Sequence, residues 1–153
     1  IFNYAEGSLD GAREMLLHDY SIPGLADGGA HVGTICDGSF PTTLLAHWCR
    51  DRTRGEKLDV EFVVRAQCRD TAEAVGLTDR GLLAPGMRAD VNVIDFDNLR
   101  LHHPEMHFDL PAGGKRLLQR ADGYLHTLVD GVETYTNGEH TGALPGRLVR
   151  GAR

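Results

Sequence analysis

Ile22-Pro23-Gly24-Leu25-Ala26-Asp27-Gly28-Gly29-Ala30-His31-Val32-Gly33 is the stretch from which the fold of this chain is interpreted. In it, a short apolar run ends at a carboxylate, Asp27, and a glycine-rich loop follows directly. A carboxylate just past a buried strand is a recurring catalytic position in α/β barrels, because the active site forms at the carboxyl ends of the strands. Asp-Gly pairs are also common turn formers, so the alternative is that Asp27 only caps the loop or the next helix.

The composition is that of an ordinary globular protein, with 153 residues of which 41% are hydrophobic and 25% charged. The net charge of -6 argues against a nucleic-acid partner. The sequence shows neither an apolar run of membrane-spanning length nor an opening signal-peptide pattern. Cys36, Cys49 and Cys68 lack Cys-x-x-Cys spacing, which argues against a disulfide framework and predicts a reducing, cytoplasmic compartment.

Helical patterns flank the opening stretch on both sides. Ser8 is placed to cap a first helix, which Ser21-Ile22-Pro23 would end. Pro41 suits the first turn of a second helix, and Asp59 can cap a third. The run before Asp27 is then the one predicted strand of the first half. A single barrel-type strand leaves both edges unpaired, so we expect partner strands from residues outside this chain or from another chain.

After Gly76 the sequence becomes rich in strand patterns. Residues 89–96 predict a strand, and residues 124–135 predict a hairpin that turns at Asp130-Gly131. Residues 97–122 hold three histidines, two prolines and adjacent glycines, which favours an extended loop. Within that segment, His103 and His107 invite a metal-site interpretation, but the intervening proline and the missing helical spacing favour a solvated loop.

Several short motifs follow one another in a characteristic order, among them Pro85-Gly86-Met87-Arg88-Ala89-Asp90, which by itself is widespread. In this order the chain resembles the C-terminal part of the amidohydrolase superfamily, and within it the N-acyl-D-amino-acid deacylase (D-aminoacylase) branch. The stretches that carry the resemblance are residues 24–32, 35–42, 79–90, 109–114 and 142–148. Ala26 departs from the Ser often found at that position in the family.

The resemblance implies an α/β fold that forms the C-terminal portion of a metal-dependent (β/α)8 barrel plus the C-terminal strands of a small β-sandwich domain. Residues 1–75 would hold the last strand and flanking helices of the TIM-type amidohydrolase barrel. Residues 76–153 would be the β-rich sandwich segment, with the extended loop 97–122. The chain is then expected to be part of a longer protein and inactive alone.

The implied activity is hydrolysis of a non-peptide amide bond, as in N-acyl-D-amino acids. The cofactor would be one or two Zn²⁺ ions, which lower the pKa of a bound water to about 7. Asp27 would accept the proton of that water, pass it to the departing amine, and also touch the metal. His31, Gly28 and Gly29 would line the substrate pocket. The family's His-x-His pair and its other ligands have no counterpart here, so most metal ligands are expected outside this chain.

The expected partners are a small-molecule N-acyl amino acid or related amide, and the remainder of the barrel, as an N-terminal portion or another chain. A homo-oligomer is compatible with the sequence, whereas nucleic acid and membrane are not expected partners. The competing hypothesis is a non-catalytic amidohydrolase-like scaffold or assembly protein. Asp27 argues against the scaffold, because a lost active site has no need of that acid.

Overall fold

The computed structural model describes residues 7–24, 26 and 31–150. Its described residues combine helices, in the part before Val75, with antiparallel strands after Asp90. This mixture agrees with the predicted α/β class. That the chain forms part of a (β/α)8 barrel and of a β-sandwich domain stays a prediction, and so does the domain boundary between residues 75 and 76.

The helices begin where the sequence predicts. Ser8 Oγ accepts a hydrogen bond of 3.2 Å from the Asp10 backbone N–H at the start of α1, and Pro41 lies in the first turn of α2. Helix α2 continues as the π-helical segment Leu44–Asp51, and α3 continues through the π-helical segment Ala66–Asp70 into α4. The α-helical bounds are α1 Asp10–Leu17, α2 Phe40–Thr43, α3 Val60–Arg65 and α4 Thr71–Ala74. In the described part of the chain, no helix combines the length and the apolar character needed to cross a membrane.

The strands pair only in antiparallel fashion. One sheet has the order β1-β6-β7-β8, while β2 pairs with β5 and β3 pairs with β4. The predicted hairpin at Asp130-Gly131 is confirmed as the β6–β7 connection. The strand bounds are β1 Val91–Ile94, β2 Arg100–Leu101, β3 Glu105–Leu110, β4 Gly114–Leu118, β5 Ala121–Asp122, β6 Tyr124–Val129, β7 Val132–Thr136 and β8 Glu139–His140.

One prediction about this architecture needs correction. Residues 97–122 were expected to form an extended loop, but they contain strands β2 to β5. Prolines and adjacent glycines there mark the turns between short strands, because an antiparallel hairpin needs only a few turn residues. Residues 22–24 and 26 of the run predicted as a barrel strand pair with no strand of the described residues. Because the partner strands of this run are expected from outside the chain, its strand character stays a prediction.

The buried core joins the helices to the turn that follows β1. Leu99 is 0% exposed and clusters with side chains of the second and third helical segments, namely Leu44, Leu45, Ala46, Trp48, Leu58 and Val63. Arg50 spans the same junction, since its guanidinium donates to the carbonyl oxygens of Phe96, of Asp97 at 3.1 Å and of Leu99 at 2.6 Å. The helical and strand-rich parts are therefore packed on one another.

Replacing Arg50 by Met is expected to lower the free energy of unfolding by about 2 kcal/mol, because partly buried carbonyl groups lose a charged donor. Thermal or urea unfolding measures this change. The matched control is Arg65→Met, since the Arg65 side chain is 71% exposed and forms a surface ion pair with Asp70; that change is expected to stay within about 0.5 kcal/mol. Equal effects of the two substitutions would contradict the bridging role of Arg50.

Exposed ion pairs join residues 79–90, which lead into β1, to the β6–β7 turn. Asp79 accepts hydrogen bonds from Arg80 at 3.0 Å and Arg88 at 2.9 Å. Arg80 also reaches Asp90 at 3.1 Å, and Arg88 reaches Asp130 at 3.4 Å. The hydrogen bonds from Arg80 and Arg88 hold the pKa of Asp79 below its ordinary value of 3.8.

The melting temperature is expected to fall in the acid pH range in which Asp79 takes up a proton. A carboxylate whose pKa is depressed in the folded state stabilises the fold above its unfolded value, and this contribution is lost as the pH falls through the folded value. For Asp79 the loss therefore begins below the ordinary pKa of 3.8. Melting followed by circular dichroism from neutral pH downwards checks this. In Asp79→Asn the melting temperature should fall less steeply as the pH decreases through the acid range. If the slope is the same as in the unmodified protein, Asp79 does not contribute to the acid sensitivity of the fold.

Candidate functional site

The sequence-predicted site residues fall mostly outside the described residues. Asp27, Gly28 and Gly29 belong to that group, so their predicted roles are not tested. His31 is described, and its side chain is exposed. Its carbonyl oxygen accepts the backbone N–H groups of Thr34 at 2.8 Å and Ile35 at 3.0 Å. His31 therefore starts a tight turn, while substrate binding by its ring stays a prediction.

A cleft of about 610 Å³ opens between α1 and α2, and the segment before Asp27 forms one wall of it. We name it the α1–α2 cleft. Gly24 and Ala26 border it, and Ala26 directly precedes Asp27 in sequence. The remaining walls are mainly apolar, with Met15, Leu16, Ile22, Phe40, Leu44 and Trp48. Asp37, Ser21, Ser39 and Thr43 supply polar groups. Such a cleft suits a ligand with an apolar group next to a polar one.

A buried arginine supports the Trp48 wall of this cleft. Arg52 is 3% exposed, and the centre of its guanidinium lies 4.6 Å from the Trp48 ring centroid. Its Nε donates to the Arg54 carbonyl oxygen at 2.7 Å, and its Nη2 pairs with Asp10. Hydrogen bonding by Ser8 and the charge of Arg52 hold the pKa of Asp10 below its ordinary value. These contacts fix the indole that faces the cleft.

A second cleft, of about 430 Å³, lies between the segment after His31 and strands β2, β4 and β5. We name it the β4 cleft. The Leu117 backbone N–H of β4 donates to the Val32 carbonyl oxygen at 2.6 Å, which joins the β3–β4 hairpin to the segment after His31. Ser39 lines both clefts, and its Oγ donates to Gln119 Oε1 at 2.5 Å. The two clefts therefore adjoin at Ser39.

Arg116 of β4 lines this second cleft and is held by an acid on β3. Its Nε and Nη2 donate to the two carboxylate oxygens of Asp109, at 2.8 and 2.6 Å. The hydrogen bond from Arg116 holds the pKa of Asp109 below its ordinary value. The pair orients the guanidinium rigidly beside the cleft.

The described residues do not assemble a metal-ligand set. Within residues 7–24, 26 and 31–150, no group of three His, Cys, Asp or Glu side chains comes together in a way that fits a metal. His102 lies 2.9 Å from Asp122, and His107 lies 3.6 Å from Glu105. His107 and Glu105 lie on β3, whereas His102 and His103 follow β2 outside any strand. The solvated loop predicted around His103 and His107 is therefore wrong at His107, which is half-buried on β3.

Sequence reasoning missed the residues that form the clefts. The sequence analysis singles out none of Trp48, Ser39 and Arg116 as site residues. The helical spacing of Phe40, Leu44 and Trp48 indicates an apolar face, but it does not tell whether that face is covered by protein or borders a cleft. The Asp109–Arg116 pairing depends on the β3–β4 register, for which the sequence showed only a pair of glycines.

The comparison with protein families gives one match. The sequence model described as "Amidohydrolase family" matches residues 4–135. This range contains the stretch around Asp27, the residues of both clefts and most of the sheet. No curated protein and no solved structure matches the chain.

Proposed function

Because the chain belongs to the amidohydrolase family, we propose that it forms the C-terminal portion of a hydrolase that cleaves the amide bond of N-acyl-D-amino acids. Family membership supports hydrolase chemistry in general. The substrate class is our proposal, supported by the order of motifs that resembles the D-aminoacylase branch. The reaction adds water across the amide C–N bond and releases a carboxylic acid and a free amine.

The observation that carries the proposal is the position of the α1–α2 cleft. Its wall includes Gly24 and Ala26, so the chain leads from the cleft directly to Asp27. The volume of about 610 Å³ lies within the range of about 300 to 1,000 Å³ typical of small-molecule sites. The apolar walls formed by Phe40, Leu44 and Trp48 suit an acyl chain or an apolar amino-acid side chain.

Asp27 is the proposed proton shuttle. A carboxylate beside the attacking water accepts a proton as the oxygen adds to the amide carbon. The same group then protonates the departing nitrogen, which as an amide anion would be a very poor leaving group. Gly28 and Gly29 would let the backbone approach the substrate closely, because they lack a Cβ atom. His31 would contribute its exposed ring to substrate binding.

The proposed cofactor is Zn²⁺, with Asp27 as the one ligand proposed from this chain. The described residues do not fit a metal by themselves, so the other ligands are proposed to come from the remainder of the barrel. The proposed location is the cytoplasm, where the free thiols Cys36, Cys49 and Cys68 stay reduced.

The proposal is tested with the full-length protein and a pair of enantiomers. N-acetyl-D-leucine is expected to release free amine, detected with o-phthalaldehyde, and N-acetyl-L-leucine is expected to react far more slowly. Incubation with a chelator should remove the activity, and added Zn²⁺ should restore it. Failure to hydrolyse either enantiomer, with the protein folded and zinc-loaded, would contradict the proposal and favour the scaffold hypothesis.

Trp48 provides a direct test of the cleft. It is the only tryptophan of the chain and lines the α1–α2 cleft, so its emission responds to what occupies that cleft. N-acetyl-D-leucine is expected to change the emission of Trp48 in a saturable manner, because an apolar group in the cleft changes the surroundings of the indole. Titration in a fluorimeter measures the effect, with N-acetylglycine as the control that lacks the apolar side chain. Equal responses to both compounds would contradict an apolar binding role.

A further inference from the structure

The β4 cleft has the features of an anion site. Arg116 is the one charged side chain among the described residues that line it. Asp109 occupies two N–H groups of its guanidinium, through Nε and Nη2. A guanidinium has five N–H groups, so those on Nη1 and one on Nη2 are available to a second acceptor. A carboxylate that enters this cleft would meet a charged donor in a fixed orientation.

A second cation lies close to the same cleft. The side chain of Lys115 runs across Gly33, where a Cβ atom would lie 3.4 Å from its Cε atom. Lys115 and Arg116 balance the charges of Glu105 and Asp109, the two acids of the same hairpin. The hairpin therefore carries no net negative charge that would repel an anion, although the whole chain carries a net charge of -6.

The two clefts together offer the chemical groups that an N-acyl amino acid would contact. Such a molecule has an apolar part, an amide, and a carboxylate attached to the carbon next to the amide nitrogen. The α1–α2 cleft has apolar walls, the β4 cleft has Arg116, and Ser39 lies on the boundary between them. A substrate lying across this boundary would place its apolar part in the first cleft and its carboxylate in the second.

We propose that the β4 cleft is the carboxylate subsite, in which Arg116 binds the α-carboxylate of the N-acyl amino acid and Asp109 positions the guanidinium. This inference rests on the proposed function, and it assigns the specificity for a free acid over an amide to the β3–β4 hairpin. Val32 and Leu117 join this hairpin to the segment after His31.

The kinetic test compares two substrates that differ only at the carboxylate. In the full-length protein, Arg116→Gln is expected to raise KM for N-acetyl-D-leucine by about tenfold to a hundredfold, the loss expected for a charge-assisted contact. The KM for N-acetyl-D-leucinamide should stay unchanged. Arg120→Gln is the matched control, since Arg120 is exposed and lies outside both clefts. Equal changes for both substrates, or none, would overturn the inference.

Two further variants keep the test decisive if Arg116→Gln unfolds. Arg116→Lys keeps the charge but lacks the planar fork, so it should raise KM for the acid by a smaller factor and leave the amide unaffected. Asp109→Asn removes the fixed partner and should act in the same selective direction. Melting temperatures of all variants separate loss of binding from loss of folding. A uniform rise in KM for both substrates across these variants would show a structural role only.

A labelling experiment locates the ligand without any need for turnover. Cys36 lines the β4 cleft, whereas Cys68 is exposed and lies elsewhere. N-acetyl-D-leucine should slow the alkylation of Cys36 by N-ethylmaleimide, leave Cys68 unaffected, and lose this protection in Arg116→Gln. The amide should protect less. Protection of Cys36 without hydrolysis would uphold the subsite and contradict the proposed function. Hydrolysis without protection would uphold the proposed function and contradict the subsite.

Discussion

Asp27→Asn is expected to lower kcat of the full-length protein by about two to four orders of magnitude, the usual contribution of a positioned acid–base group. Asparagine has nearly the same shape as aspartate but neither accepts nor returns a proton at neutral pH. The KM should change much less, because the substrate would still be held by the two clefts. Steady-state hydrolysis of N-acetyl-D-leucine measures both parameters.

The matched control for this substitution is Asp19→Asn. Asp19 is an exposed carboxylate that lines neither cleft, so its replacement removes the same charge without changing the proposed binding walls. Its kcat should stay within a few-fold of the unmodified protein. Near-normal turnover in Asp27→Asn, or an equal loss in both variants, would refute the shuttle role and return Asp27 to the alternative of a turn residue.

Leu99→Ala is expected to cost about 2 to 5 kcal/mol in the free energy of unfolding. Leu99 is 0% exposed and lies where the turn after β1 meets the second and third helical segments. Truncation removes apolar contacts and leaves a cavity that its surroundings do not fill. The turn is held from the other side by Gly123, where a Cβ atom would lie 2.7 Å from the Leu99 Cα atom, so collapse into the cavity is restricted.

Urea unfolding of Leu99→Ala, with Leu144→Ala as the control, measures this effect. Leu144 is 86% exposed, so the same substitution there should change the stability by less than about 0.5 kcal/mol. The contrast separates the effect of the buried site from that of losing a leucine. A loss under about 1 kcal/mol at Leu99 would show that the junction between helices and sheet repacks easily, contrary to the tight core described above.

The local signals of the sequence were reliable where short-range chemistry dominates. Ser8 and Pro41 mark helix starts because a side-chain oxygen, or a proline that lacks an N–H, suits the unpaired first turn. Asp130-Gly131 marks a hairpin because both residues adopt a positive φ, here 53° and 77°. The same reasoning failed over residues 97–122, where histidines and prolines hid the alternation of Met106, Phe108 and Leu110 along β3.

The sequence by itself determined the helical first half, the strand-rich second half, the β6–β7 hairpin and the family to which the chain belongs. Each of these depends on the spacing of neighbouring residues or on the order of short motifs. Tertiary structure alone decided that Trp48 walls a cleft, that Asp109 aligns Arg116, and that Ser39 lies where two clefts meet. Such features join residues distant along the chain, and their contacts follow from packing and strand register, which spacing in sequence does not specify.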